Sequence, residues 1–149
     1  MTLAARQVLE DCKEAANDID GKVQGSAWRR RYVVAVVLLR TVGYVLGRIA
    51  CENTKYKAAI KNEWAELNKS KPDPPIFWEF IDKVRNNIVH EYIIHAEQGA
   101  TVFIGQNKPT ENHYTINDGY YKGYDQRDLL KEAIEWWEAY IDRIDQASP

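Results

Sequence analysis

Cysteine is scarce. Cys12 and Cys51 are the only two in 149 residues, and no C-x-x-C pair occurs, so neither a disulfide framework nor a structural zinc site is expected and a reducing cytoplasm fits best. Excess charge is also lacking: 20 Lys and Arg oppose 22 Asp and Glu, for a net charge of −2. Whole-chain electrostatics therefore neither marks a nucleic-acid binder nor excludes one. The first stretch, "MTLAARQVLEDCKEAAND", has no apolar core of the kind a signal peptide needs. There is no internal repeat, no glycine-rich phosphate loop and no G-x-S-x-G elbow. Only one apolar run approaches membrane-spanning length, Tyr32 to Ala50, "YVVAVVLLRTVGYVLGRIA". Arg40 sits in its middle, where a charge costs roughly 2.5–3.5 kcal/mol on insertion scales. The better reading is a helix at the centre of a soluble helical bundle, with no membrane partner.

Hydrophobic residues make up 45% of the chain, with five Trp and nine Tyr, which is enough to build a core for one domain spanning residues 1–149. Charge is unevenly distributed. Between Gly21 and Lys61 nine basic residues stand against Glu52 alone, whereas Asp125 to Pro149 holds seven acids and three bases.

Helical periodicity recurs along most of the sequence. Leu3, Val8, Leu9, Cys12, Ala15, Ala16 and Ile19 mark a first helix that stops before Gly21. Ser26 is placed to cap a second, in which Trp28, Tyr32, Ala35, Val36, Leu39, Val42, Leu46 and Ile49 form a continuous stripe. Residues 53–68 either extend it or form another helix, with Tyr56, Ile60, Trp64 and Leu67 inward, before "KSKPDPP" stops helix formation. Ile76 to Ala96 reads as one helix with Phe77, Phe80, Ile81, Val84 and Ile88 inward. Residues 97–124 break the pattern: "ATVFIG" and "HYTIND" predict a two-stranded hairpin around "QNKPTEN". Asp125 can cap a last helix carrying Leu129, Leu130, Ala133, Trp136, Trp137, Tyr140 and Ile144. The fold class expected is all-α, an antiparallel bundle of four or five helices with a small β-hairpin inserted before the last.

The fourth of these segments contains "RNNIVHEY", Arg85 to Tyr92. With Phe77, Ile81, Val84 and Ile88 turned to the core, Asn86 and His90 fall on the opposite face, and Arg85 and Tyr92 share a flank between. Ile93 and Ile94 continue the outward strip, and apolar groups there call for a covering partner, such as a second copy related by a twofold axis. Histidine changes charge near neutral pH, and beside a fixed cation it can move the protons of RNA phosphodiester cleavage. In that role His90 is the general acid or base, Arg85 stabilises the charged phosphorane, Asn86 orients the imidazole or contacts phosphate, and Tyr92 donates a hydrogen bond or stacks on a base. This chemistry needs no metal and no cofactor.

Arg85, Asn86, His90 and Tyr92 together form R-x-x-x-x-H with a polar residue after the arginine and a tyrosine two residues after the histidine. This pattern resembles the signature of the HEPN superfamily, and in its fuller form the HepT-like toxins. The resemblance implies an all-α bundle, a homodimer bringing two motifs into one cleft, and metal-independent endoribonuclease activity in toxin–antitoxin or antiphage systems. It also implies a nucleotidyltransferase antitoxin as partner, able to modify the motif tyrosine, which corresponds to Tyr92. The inserted hairpin and the arginine-rich second helix are departures from that branch.

Two other readings stay open: a non-catalytic interaction module that uses the motif helix only for docking, and a nucleotide-binding regulatory domain. Arg29, Arg30 and Arg31 are either solvated cations around a central helix or a phosphate-contacting rim for RNA. Tyr114, Tyr120, Tyr121 and Tyr124 are expected to pack the hairpin onto the helices rather than stack on bases. Glu91 and His95, one helical turn apart, are a weak metal-ligand pair, and no metal site is expected.

Overall fold

The computed structural model describes residues 2–101, 105 and 111–148. It is mostly helical, with a small antiparallel hairpin before the last helix. In chain order the elements are α1 (Leu3–Asn17), α2 (Gly25–Glu52), α3 (Thr54–Ser70), a π-helical segment (Ile76–Asp82) that runs directly into α4 (Lys83–Glu91), β1 (Ala96–Thr101), β2 (Glu111–Ile116) and α5 (Gln126–Ala147).

Central placement of α2 follows from its stripe. Trp28, Tyr32, Ala35, Val36, Leu39, Val42, Leu46 and Ala50 are buried, and the helix touches α1, α3, α4, α5 and the π-helical segment. Fully burying a residue such as Leu39 contributes about 1.5–3 kcal/mol. Among the described residues α2 is also the one helix long and apolar enough to cross a membrane. Its start differs from expectation. Gly25 is the first helical residue, at φ +62°, a left-handed geometry that glycine adopts freely. Its N–H donates to the Tyr114 hydroxyl (2.7 Å), while the Ser26 hydroxyl, expected as the cap, accepts instead from Arg30 (3.2 Å). A side chain from the hairpin has taken over the capping role.

At the other end of α2, Asn53 leaves helical geometry (φ −131°, ψ 108°), and its side-chain oxygen accepts from the Lys55 N–H (3.0 Å). This cap makes α3 a separate helix. Asp125 caps α5 as expected, accepting from the Arg127 N–H at 2.8 Å. The acids of α5 then serve α1. Arg6 meets Asp142 (2.8 Å) and Asp145 (2.7 Å), and Lys13 pairs with Glu138, a reversed order of partners that makes the two helices antiparallel.

The fourth expected helix is both wider and shorter than its periodicity predicts. From Ile76 to Asp82 the turns are π-helical, with i→i+5 bonding, so steps of 100° per residue do not describe the side-chain directions. Phe77, Phe80 and Ile81 are buried nonetheless, and Val84 is half-buried. The Phe77 ring packs against Trp78 (4.8 Å), Trp136 (5.3 Å), Trp64 (6.0 Å) and Trp137 (6.0 Å), joining the segment to α3 and α5. The α-helix then ends at Glu91, not Ala96, because Tyr92 adopts a left-handed backbone (φ 52°, ψ 39°).

The early exit brings the hairpin forward. β1 begins at Ala96, opposite Ile116, and pairs through to Thr101 opposite Glu111. The first strand expected, "ATVFIG", overlaps β1 only at its start, since residues 102–104 lie outside the described residues, as do residues 106–110 of the "QNKPTEN" turn. The hairpin is held against α2 by Tyr114, whose ring stacks 3.6 Å from Trp28, and Asn112 N–H donates to Gly21 O (2.7 Å). Tyr114 and Tyr121 are buried as expected, whereas Tyr120 and Tyr124 are exposed.

Candidate active site on the Arg85 helix

Asp82, Arg85 and Asn86 stand at positions i, i+3 and i+4 where the π-helical segment becomes α4, a spacing that gathers side chains on one side of a helix. The Arg85 guanidinium donates to Asn86 Oδ1 (3.0 Å), and the Asn86 amide reaches Asp82 Oδ2 at 3.5 Å. Asp82 in turn accepts from Arg40 Nε (3.0 Å) in an ion pair shielded on both sides, with side-chain exposures of 11% for Arg40 and 25% for Asp82. Arg40 is the charge in the middle of α2, and its partner lies on another element.

Tyr44, one turn after Arg40, joins the two arginines. The Arg40 guanidinium lies 4.3 Å from the Tyr44 ring centroid and that of Arg85 5.4 Å from it. Each contact is within cation–π range. Arg40 also faces Phe77 (5.5 Å) and Trp64 (5.9 Å). The result is a chain Arg40–Asp82–Asn86–Arg85 that orients the Arg85 guanidinium and leaves it half-buried.

His90 is four residues beyond Asn86 within α4, hence on the same face, and it is exposed. Tyr92 is 59% exposed and closes the helix, its N–H donating to Ile88 O (2.9 Å) and the Ile93 N–H to Asn87 O (3.2 Å). Among the described residues neither the imidazole of His90 nor the phenol of Tyr92 has a hydrogen-bond or ionic partner. The structure thus joins Arg85 to Asn86 directly, while His90 and Tyr92 stand free. Tyr92 stands at the left-handed turn directly after α4, one residue past its last helical turn. Ile93 (41% exposed) and the half-buried Ile94 also lie past the helix end, so the apolar group that α4 itself exposes is Val89.

Arg29, Arg30 and Arg31 are exposed near the start of α2, about 15 Å along its axis from Arg40 at 1.5 Å per residue. They belong to a different patch. Arg31 donates to Asp18 O (2.6 Å) and Arg30 to Ser26. The three histidines are also dispersed: His95 faces Asp118 (3.8 Å), His113 lies against Arg127 (2.9 Å) and Asp125, and His90 is alone. Glu91 and His95 no longer share a helical turn, and no group of three His, Cys, Asp or Glu among the described residues is arranged to hold a metal ion.

Arg40, Tyr44 and Asp82 are the members of this cluster that periodicity did not single out. A signal existed: a lone charge in the middle of an apolar helix has to find a buried or half-buried partner, and Asp82, one turn before Asn86, is the acid on the motif helix that can supply it. In comparisons with known proteins, no family model, no curated protein and no solved structure matches this chain.

Proposed function

We propose that the protein is a metal-independent endoribonuclease of the HEPN type, a toxin or antiphage-defence component of the cytoplasm, whose helices form an antiparallel bundle. The observation that carries this reading is an Arg85–Asn86 pair held by Asp82 and Arg40, one helical turn from an exposed His90 that no side chain engages. A guanidinium fixed in this way can receive a phosphate without reorganising, which is what stabilising a charged phosphorane requires. The free imidazole takes the ribose 2′-hydroxyl proton or protonates the leaving 5′-oxygen.

Homodimerisation through the motif helix is part of the proposal. Val89, Tyr92 and Ile93 are exposed on and just past α4, and burying them against a second copy would bring two Arg85–His90 sets into one cleft. The accessible Tyr92 phenol is then also the group a nucleotidyltransferase antitoxin would modify, blocking the cleft with added charge and bulk. The test is RNA cleavage by the wild type and by His90→Ala, with circular dichroism and sedimentation as controls. The variant should keep its fold and dimer and lose cleavage by at least a hundredfold, the usual scale of general acid–base catalysis. Undiminished cleavage by a folded His90→Ala protein would end the proposal.

A further inference from the structure

We propose that the groove between α2 and α3 seats one unpaired base of a single-stranded RNA whose backbone runs past Arg85. The strand in this proposal rests on the ribonuclease reading; the base site rests on the groove itself. The groove encloses about 320 Å³ between Gly43, Gly47 and Cys51 of α2 and Lys61 and Trp64 of α3, floored by Trp137. That volume falls at the small end of the range for organic ligands, about 300–1,000 Å³, and suits a single ring system.

Three features select a flat aromatic ring carrying a phosphate. First, Gly47 leaves a gap in the α2 wall of the groove, where an added Cβ would meet nothing within 4 Å, whereas at Gly43 the space is already taken by Arg40 and Trp137. Second, Trp64, 40% exposed, puts aromatic surface at one edge, where stacking binds any base by its π-face, while the Tyr44 ring nearby is already faced by the Arg40 guanidinium. Third, Lys61 lines the groove with no ion pair among the described residues and no carboxylate lines it, while Arg40, also in the lining, is already paired with Asp82. Tyr44 also links the groove to the candidate active site, because the ring that edges the groove lies 5.4 Å from the Arg85 guanidinium.

Cys51 makes the site directly measurable. It is the exposed cysteine lining the groove, whereas Cys12 is buried. The experiment uses the His90→Ala protein, so that the strand is not cut, and a fluorescein-labelled single-stranded oligoribonucleotide. Anisotropy gives its affinity, and the rate of Cys51 alkylation by iodoacetamide reports groove occupancy. The same two readings are taken on a Gly47→Leu, His90→Ala protein, in which leucine plugs the groove and favours the helix. Bound oligonucleotide should slow Cys51 alkylation at least fivefold, and the plug should weaken binding about tenfold with no loss of melting temperature, as expected for one stacked base. Unchanged affinity in the plugged protein, or undiminished Cys51 alkylation with oligonucleotide bound, overturns the base site even if the wild type cleaves RNA. Protection and plug-sensitivity in a protein whose wild type cuts no RNA keep the base site and discard the ribonuclease reading. Adenosine monophosphate protecting Cys51 at the same concentration as the oligonucleotide overturns the assignment to a strand.

Discussion

Arg40 Nε lies 3.0 Å from a carboxylate oxygen of Asp82, 42 residues further along the chain, and this ion pair joins the central helix to the start of the motif helix. An arginine 11% exposed cannot be left there without a partner at small cost. Through Asn86 the same carboxylate steadies Arg85. One buried charge thus provides both a fold contact and a site contact.

Removing the carboxylate should therefore be costly. Asp82→Ala is expected to lower stability by about 2–3 kcal/mol in urea unfolding, somewhat below the range for a fully buried pair because Asp82 is one-quarter exposed. Replacing Arg40 with Met in the same protein should restore part of the loss, since it removes the unpaired cation. A double-mutant cycle with coupling under about 0.5 kcal/mol would show that the pair is not energetically joined.

Two glycines on α2 should respond to alanine in opposite ways. At Gly47 the added methyl meets nothing within 4 Å, so Gly47→Ala should stabilise by about 0.5–1 kcal/mol through helix propensity alone. At Gly43 it would stand 2.7 Å from Arg40 Nη1 and 3.2 Å from Trp137, and Arg40 is tethered by Asp82. Gly43→Ala should lower the melting temperature despite the same propensity gain. Equal shifts for the two variants in thermal melts would contradict the packing described.

Tyr92 carries the left-handed backbone that ends α4, at φ 52°, and holds an exposed side chain there. Such geometry costs a non-glycine residue about 1–2 kcal/mol. Tyr92→Gly is expected to raise stability by about 1 kcal/mol, and, if the tyrosine contributes to RNA cleavage, to lower cleavage at the same time. A fall in melting temperature would show that the side chain stabilises the helix end by packing.

Alkaline pH should weaken the fold in a defined direction. Burial pushes the Cys12 thiol up to about 12 from its ordinary 9.0, and burial likewise holds the Tyr32 phenol well above its usual range. Both pKa values are raised in the folded state, so the unfolded chain loses these protons first. The stabilisation is complete below pH about 9 and declines as pH rises toward 12, by at most about 1.4 kcal/mol per pH unit for each group. Urea midpoints at pH 7, 9 and 10.5 should fall in that order, and Cys12→Ala should flatten the trend. A midpoint independent of pH, or one that rises, would contradict it.

Much of this architecture could be read from periodicity. The stripe from Trp28 to Leu46 marks α2 as central, and the cap at Asp125 sits where a short polar side chain precedes an apolar-periodic segment, whereas periodicity left open whether residues 53–68 extend α2 or form a helix of their own. Such features depend on residues within a turn or two of each other, and helical spacing encodes them directly. The pairing of Asn86 with His90 on one face of α4 was legible for the same reason.

Other features were decided by contacts across the fold. Nothing near Tyr92 marks it as a helix end, since a tyrosine at positive φ runs against local preference. Its early turn is what frees Ala96 to open β1. Tyr114 takes the capping place expected of Ser26 because the hairpin folds back onto the start of α2. The sequence by itself determined most of the helical segments and most of the faces they bury, because those depend on spacing of a few residues, although Trp64, expected inward on α3, is 40% exposed. Only the tertiary structure decided where α4 stops and which acid answers Arg40, because each follows from groups distant in the chain and close in space.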